Sequence, residues 1–321
     1  MKILILHTGG TIAMHNTEHG VAPDTTNPLS HLALPVAPDT ELVTEEMFNL
    51  PSPHITLKEM LALSLRIRTA AQTGFNGVVI THGTDTLEET AYFLQETIGN
   101  LIPVALTGAM RSSNELGSDG LYNLLSAIRV ANSTAALGRG VVVVMNDEIH
   151  AAQFVTKTHT TNVATFRSPT FGPVGVLTKH SVRFFQSPAQ QTCIPITSVA
   201  GRVPIIKAYA GMTDSFFKLF EPQKLDGLVI EALGAGNLPP KAIPGLHRFI
   251  EAQVPVVLVS RCFNGIAEPV YSYEGGGVEL AEMGIIFTQG INAQKARLKL
   301  IIGLNSPFAK DTQALTSFLK E

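Results

Sequence analysis

Short runs of β-branched and aliphatic residues recur along the chain, and most end in glycine or a small polar residue. The runs at 2–7, 78–81, 103–107, 141–146, 204–209, 228–231 and 256–260 are apolar at nearly every position. A strand that is apolar at consecutive positions is covered on both faces, which is the habit of parallel sheets between helices. Helical patterns follow several of the runs. In residues 121–131, Leu121, Leu124, Leu125 and Ile128 fall at helical spacing behind Asp119, which is expected to cap the helix. Residues 187–203 carry prolines, glutamines and Ser/Thr with no helical period, and read as a linker. The expectation is an α/β protein of two domains, a larger one over 1–186 and a smaller one over 204–321. Residues 23–39, rich in Pro, Thr, Asn and Asp, join residues 14–22 in one long loop after the first strand, and long loops in compact domains are usually lids or binding loops.

Composition narrows the function. The 321 residues are 45% hydrophobic and only 15% charged, enough apolar material for a sizeable core. A net charge of −3 without basic runs argues against nucleic acid and against an anionic membrane. Cys193 and Cys262 are isolated, so neither a disulfide framework nor a cysteine metal site is expected. Only Ile3–Leu6 separate Lys2 from His7 and a Gly-Gly turn, too short for the apolar region of an export signal. The reading is a soluble cytoplasmic protein.

The stretch VVITHGTDTLEETAYF, residues 78–93, ends a strand on a carboxylate between two hydroxyls. Thr86 and Glu89 fit a capping box, and Asp85 suits a helix start. Capping leaves Thr84 and Gly83 without a reason. After the first strand comes Thr8-Gly9-Gly10-Thr11-Ile12, where two glycines permit a sharp turn and close approach of a ligand. A dinucleotide fingerprint lacks its third glycine here, and no P-loop lysine follows.

Ligands of open α/β sheets sit beyond the carboxyl ends of the strands. Thr11, Thr84, Asp85 and Ala109 all fall just past such ends, and Lys157 is expected beyond the 141–146 strand. Clustered, these loops would offer two threonine hydroxyls, a carboxylate and an ammonium, a set suited to nucleophilic attack on a carbonyl. His82 and His150 read as satisfied structural residues. No HExxH or paired carboxylate–histidine spacing suggests a metal, and no cofactor is expected.

The motifs TGGTIAM, THGTDTLEETAYFL, PVALTGAMR with DGLYNLLSAI, TKTHTTNVATF and NAQKAR, in order through nearly the whole chain, resemble the bacterial L-asparaginase family, in its cytoplasmic branch. The resemblance implies a larger N-terminal α/β/α domain with a mixed, mostly parallel sheet and a smaller C-terminal α/β domain with a parallel sheet. It implies hydrolysis of L-asparagine to L-aspartate and ammonia through a threonine ester. Thr11 matches the nucleophile; Thr84, Asp85 and Lys157 match a second threonine–aspartate–lysine group. Asp85 would also hold the substrate α-ammonium, Ser52 of LPSPHIT the α-carboxylate, and the Ala109 carbonyl the side-chain amide. Asn237 of GAGNLP resembles an asparagine that reaches a neighbouring subunit's site, and a homodimer or homotetramer is implied.

Two departures stand out. Many members carry a tyrosine in the loop after the nucleophile, where this chain has Val21 in HGVAP and no tyrosine before Tyr92. Pro53 follows Ser52 in place of a polar residue. The acidic residue supplied by a partner subunit is not assignable among Glu268, Glu274 and Glu279. Two other readings are an amino-acid-binding module without chemistry, and another amidohydrolase acting on glutamine or an amidated transfer RNA; the lack of basic charge disfavours the RNA version.

Overall fold

The computed structural model describes residues 1–23, 29, 34, 37–187, 193–288 and 290–321. The chain forms two compact units, Met1–Cys193 and Ile194–Glu321. Among the described residues, no helix is long and apolar enough to cross a membrane.

In the first unit, β1 (Lys2–His7) leads into a hairpin of β2 (Met14–Thr17) and β3 (Gly20–Pro23), then β4 (Glu41–Glu46), α1 (Leu57–Gln72), β5 (Gly77–Thr81), α2 (Leu87–Ile98), β6 (Val104–Thr107) and α3 (Gly120–Ala131). There follow β7 (Val141–Met145), β8 (Glu148–Ala151), the two-residue strands β9 (Thr156–Lys157) and β10 (Phe166–Arg167), β11 (Gly175–Leu177) and β12 (Val182–Phe184). The main sheet runs β12-β11-β8-β7-β6-β5-β1-β4. Its strands β4, β1, β5, β6 and β7 are parallel, and β8, β11 and β12 continue it antiparallel. The mixed, mostly parallel α/β/α sheet is thus as expected.

Alternate residues of the central strands feed two separate cores. Ile3, Ile5, Val79, Ala105 and Val142 pack with Leu124, Ala127 and Ile128 of α3. Leu4, Leu6, Val78, Ile80 and Val104 pack on the other face with Leu63 and Ile67 of α1 and Leu87, Ala91 and Leu94 of α2. Numbered among themselves, the five parallel strands run 2-1-3-4-5. In that order the connections from β1 diverge between β1 and β5, and the crevice for a ligand opens at their carboxyl ends.

Three local expectations fail. Thr86 occupies the N-cap position of α2, but its hydroxyl donates to the Ser52 carbonyl at 2.8 Å and does not cap the helix. A capping box forms at α1 instead, where the Glu59 carboxylate accepts the Thr56 N–H at 2.9 Å. Asp119 precedes α3 without capping it, because its carboxylate is turned to the loop after β6. Residues 14–22 are no open loop: Met14 pairs with Pro23 and Thr17 with Gly20. The rest of that loop lies mostly outside the described residues, as does part of the 187–203 segment.

The second unit is built on four parallel strands in sequence order, β13 (Ile205–Lys207), β14 (Leu228–Ala232), β15 (Val256–Ser260) and β16 (Ile286–Phe287). Helix α4 (Ile243–Glu251) lays Ile243, Leu246 and Phe249 on Leu228, Ile230 and Leu258. Helices α5 (Gly277–Glu282), α6 (Ala293–Leu304) and α7 (Thr312–Lys320) complete the unit.

Candidate active site

Four loops leave the carboxyl ends of β1, β4, β5 and β6, and glycine lets their backbones touch. Gly10 has φ +84°, and a Cβ on it would lie 2.2 Å from the Gly83 Cα. A Cβ on Gly83 would lie 2.7 Å from the Ser52 Cβ. The turn carrying Thr11 and the turn carrying Thr84 are therefore in backbone contact, with Ser52 against the second. Thr8 fastens the first turn by donating both N–H (3.1 Å) and hydroxyl (2.9 Å) to the Thr81 carbonyl. Among the described residues, none hydrogen-bonds the half-buried Thr11 hydroxyl.

Thr84 is buried, and its hydroxyl accepts from the Lys157 Nζ at 2.9 Å. The same ammonium donates to the Asp85 Oδ1 at 2.7 Å, while that carboxylate is 59% exposed and open to a further cation. Asp85 is held from behind by its own N–H, which donates to the Ser52 Oγ at 3.1 Å. Because that oxygen is the acceptor, the Ser52 proton stays available to a ligand. A positive charge beside the Thr84 oxygen favours negative charge developing there.

Lys157 does not follow β7 directly. The chain first returns along β8, and Lys157 then pairs with Phe166 in a separate two-strand ladder. Its backbone N–H donates to the Glu88 Oε2 at 2.7 Å. Glu88 is 4% exposed in the first turn of α2; nothing in its spacing singles it out, and its place just after the THGTDT run was the available signal in the sequence.

Ala109 is buried beyond β6. A Cβ on Gly108 would lie 3.3 Å from the Thr84 Cγ2, and a Cβ on Gly120 would lie 2.9 Å from the Ile12 Cγ1 and 3.3 Å from the Ala109 Cβ. The Ala109 loop thus borders both threonine turns. The first unit brings Thr11, Ser52, Thr84, Asp85, Ala109 and Lys157 to one end of its sheet.

Residues 2–190 match the family model described as asparaginase, N-terminal, and residues 202–316 match the glutaminase/asparaginase C-terminal domain. The chain belongs to the asparaginase family. It is 40% identical to a probable L-asparaginase of Deinococcus radiodurans, over 95% of this chain and 93% of the relative. It is 33% identical to L-asparaginase 2 of Escherichia coli, over 100% and 93%. The crystal structure of a probable cytoplasmic L-asparaginase from Campylobacter jejuni superposes with a TM-score of 0.86 at 32% identity, covering 99% of this chain and 98% of that one.

In this asparaginase three buried histidines of the first unit, His7, His82 and His150, are structural. The Gly83 carbonyl can only accept, so the His82 Nδ1 carries the proton at 2.8 Å, and Nε2 accepts from the Thr90 hydroxyl at 2.9 Å. Burial lowers His82 to about 4, and His7, bonded to the Thr81 hydroxyl at 2.7 Å, is also lowered to about 4. His150 is buried between Ser168 and Glu148, and burial lowers it as well. In the second unit, the Asn237 Oδ1 accepts the Gly277 N–H at 3.1 Å at the start of α5, and its backbone bridges Leu233. Glu279 accepts the Gly275 N–H at 2.5 Å, and Val21 is half exposed on β3.

Proposed function

We propose that this asparaginase hydrolyses L-asparagine to L-aspartate and ammonia, with Thr11 as nucleophile. The contact of Gly10 with Gly83 carries the reading, because it sets the Thr11 turn beside the Thr84–Asp85–Lys157 group. Asp85 holds the substrate α-ammonium, Ser52 donates to the α-carboxylate, and the Ala109 carbonyl accepts the side-chain amide. The Thr11 oxygen adds to the amide carbon. Among the described residues the N–H groups of Thr11 and Thr84 are engaged by no carbonyl, which suits them to the oxyanion; one such donor is worth about 3 kcal/mol. The hydroxyl proton passes to the leaving nitrogen, the C–N bond breaks, and ammonia departs from a β-aspartyl ester. Thr84, with Lys157 beside it, orients the water that cleaves the ester and restores the Thr11 hydroxyl. Asn237 is proposed to reach the site of a neighbouring subunit in a homodimer or homotetramer. A cytoplasmic location is supported by the naming of the Campylobacter jejuni relative.

Glutamine is the second substrate to weigh, since the family model matching residues 202–316 is described by glutaminase as well as asparaginase. The test is ammonia release by the purified protein from L-asparagine and L-glutamine, beside Thr11→Ala. Release from asparagine that disappears in Thr11→Ala is expected; near-normal release by that variant removes Thr11 from its role.

A further inference from the structure

The Ala109 carbonyl and the Met110 N–H belong to one peptide plane, and that plane is pinned from behind. Both oxygens of the Asp119 carboxylate lie 3.1 Å from the Met110 nitrogen, and Oδ1 lies 3.0 Å from the Arg111 nitrogen. In a trans peptide the C=O points away from the N–H, so an acceptor fixed behind the N–H sets where the carbonyl faces. Asn123 secures the rest. Its Nδ2 donates to the Gly108 carbonyl and to the Asp119 Oδ2, each at 3.0 Å, and its Oδ1 accepts the Asn146 N–H at 3.1 Å. No described residue donates to the Ala109 carbonyl.

Asp119 stands where a helix cap is expected and does no capping. Its carboxylate instead makes charge-assisted bonds to the loop, and an anion on the N–H side of an amide draws electron density onto the carbonyl oxygen. We propose that Asp119, seated by Asn123, is a positioning residue: it aims and polarises the Ala109 carbonyl, and thereby favours substrates with an N–H on the group that leaves over substrates without one. The inference rests on the assignment of the Ala109 carbonyl to the substrate amide.

The experiment compares kcat/KM for L-asparagine and for the β-methyl ester of L-aspartate, which has no N–H to donate. In Asp119→Asn the asparagine-to-ester ratio is expected to fall about tenfold, the size of one hydrogen bond lost in the transition state, with the ester value nearly unchanged. Asn123→Ser, which keeps Asp119 but removes the amide that seats it, is expected to lower the ratio in the same direction; it serves if Asp119→Asn does not fold. An equal loss on both substrates, or an unchanged ratio in a folded variant, overturns the role of Asp119 and leaves the function standing. A wild-type protein that cleaves neither substrate overturns the functional proposal, and this inference with it.

Discussion

Gly10 and Gly83, seventy-three positions apart, pack so closely that a Cβ on the first would overlap the Cα of the second at 2.2 Å. The contact holds the loop after β1 against the loop after β5, at the point where the strand order of the sheet reverses. Gly10→Ala adds an atom against backbone that cannot swing aside, at a φ of +84° that an L side chain rarely adopts. A loss of about 1–3 kcal/mol in chemical denaturation is expected, together with loss of turnover. A variant as stable and active as the parent would show that the two turns need no such proximity.

Lys157→Met is expected to separate chemistry from folding. The ammonium meets Thr84 and Asp85, and the exposed Asp85 carboxylate can return to water when the lysine is gone. Turnover of asparagine should fall by about 10²–10³, while the melting curve stays close to that of the parent. Loss of the folded state would instead assign Lys157 a structural role.

Glu88 sets the Lys157 backbone, so its replacement acts on both stability and turnover. Glu88→Ala leaves the partly buried Lys157 N–H without its carboxylate and is expected to cost about 1 kcal/mol. Glu88→Gln keeps an acceptor and should recover most of the activity. Full activity in Glu88→Ala, measured by ammonia release, would free Lys157 from this anchor.

Acid should loosen the first unit before it titrates carboxylates. The folded protein keeps His7 and His82 neutral down to about pH 4, whereas the unfolded chain protonates them near 6.5. Stability is therefore whole above pH 6.5, declines as the pH falls towards 4, and loses nothing more to these groups below that. The decline amounts to at most about 3 kcal/mol per imidazole. Denaturation midpoints between pH 7 and pH 4.5 should trace it, and His82→Asn should flatten the slope. An unaltered slope in that variant would place the acid sensitivity elsewhere.

The sequence by itself determined where the central strands lie. The apolar runs at 2–7 and 256–260 coincide with β1 and β15, and those at 78–81, 103–107, 141–146 and 228–231 differ from their strands by one residue at an end. A strand buried on both faces must be apolar throughout, so its outline is written locally. Strand β4, with the polar sequence ELVTEE at the sheet edge, and the short strands β8 to β12 carry no such outline. Their pairing comes from neighbours distant in the chain.

Tertiary structure decided what the polar side chains do. Thr86 and Asp119 both occupy helix starts, where local chemistry says cap, and both turn to other loops: Thr86 to the Ser52 carbonyl, Asp119 to the N–H groups of Met110 and Arg111. Motif order made Thr11, Thr84, Asp85 and Lys157 recognisable as a group, yet only the folded sheet brings their loops together. A hydroxyl or carboxylate has several partners of similar energy within reach. Which one it takes depends on backbone groups delivered from elsewhere in the chain, whereas an apolar side chain needs only to leave water.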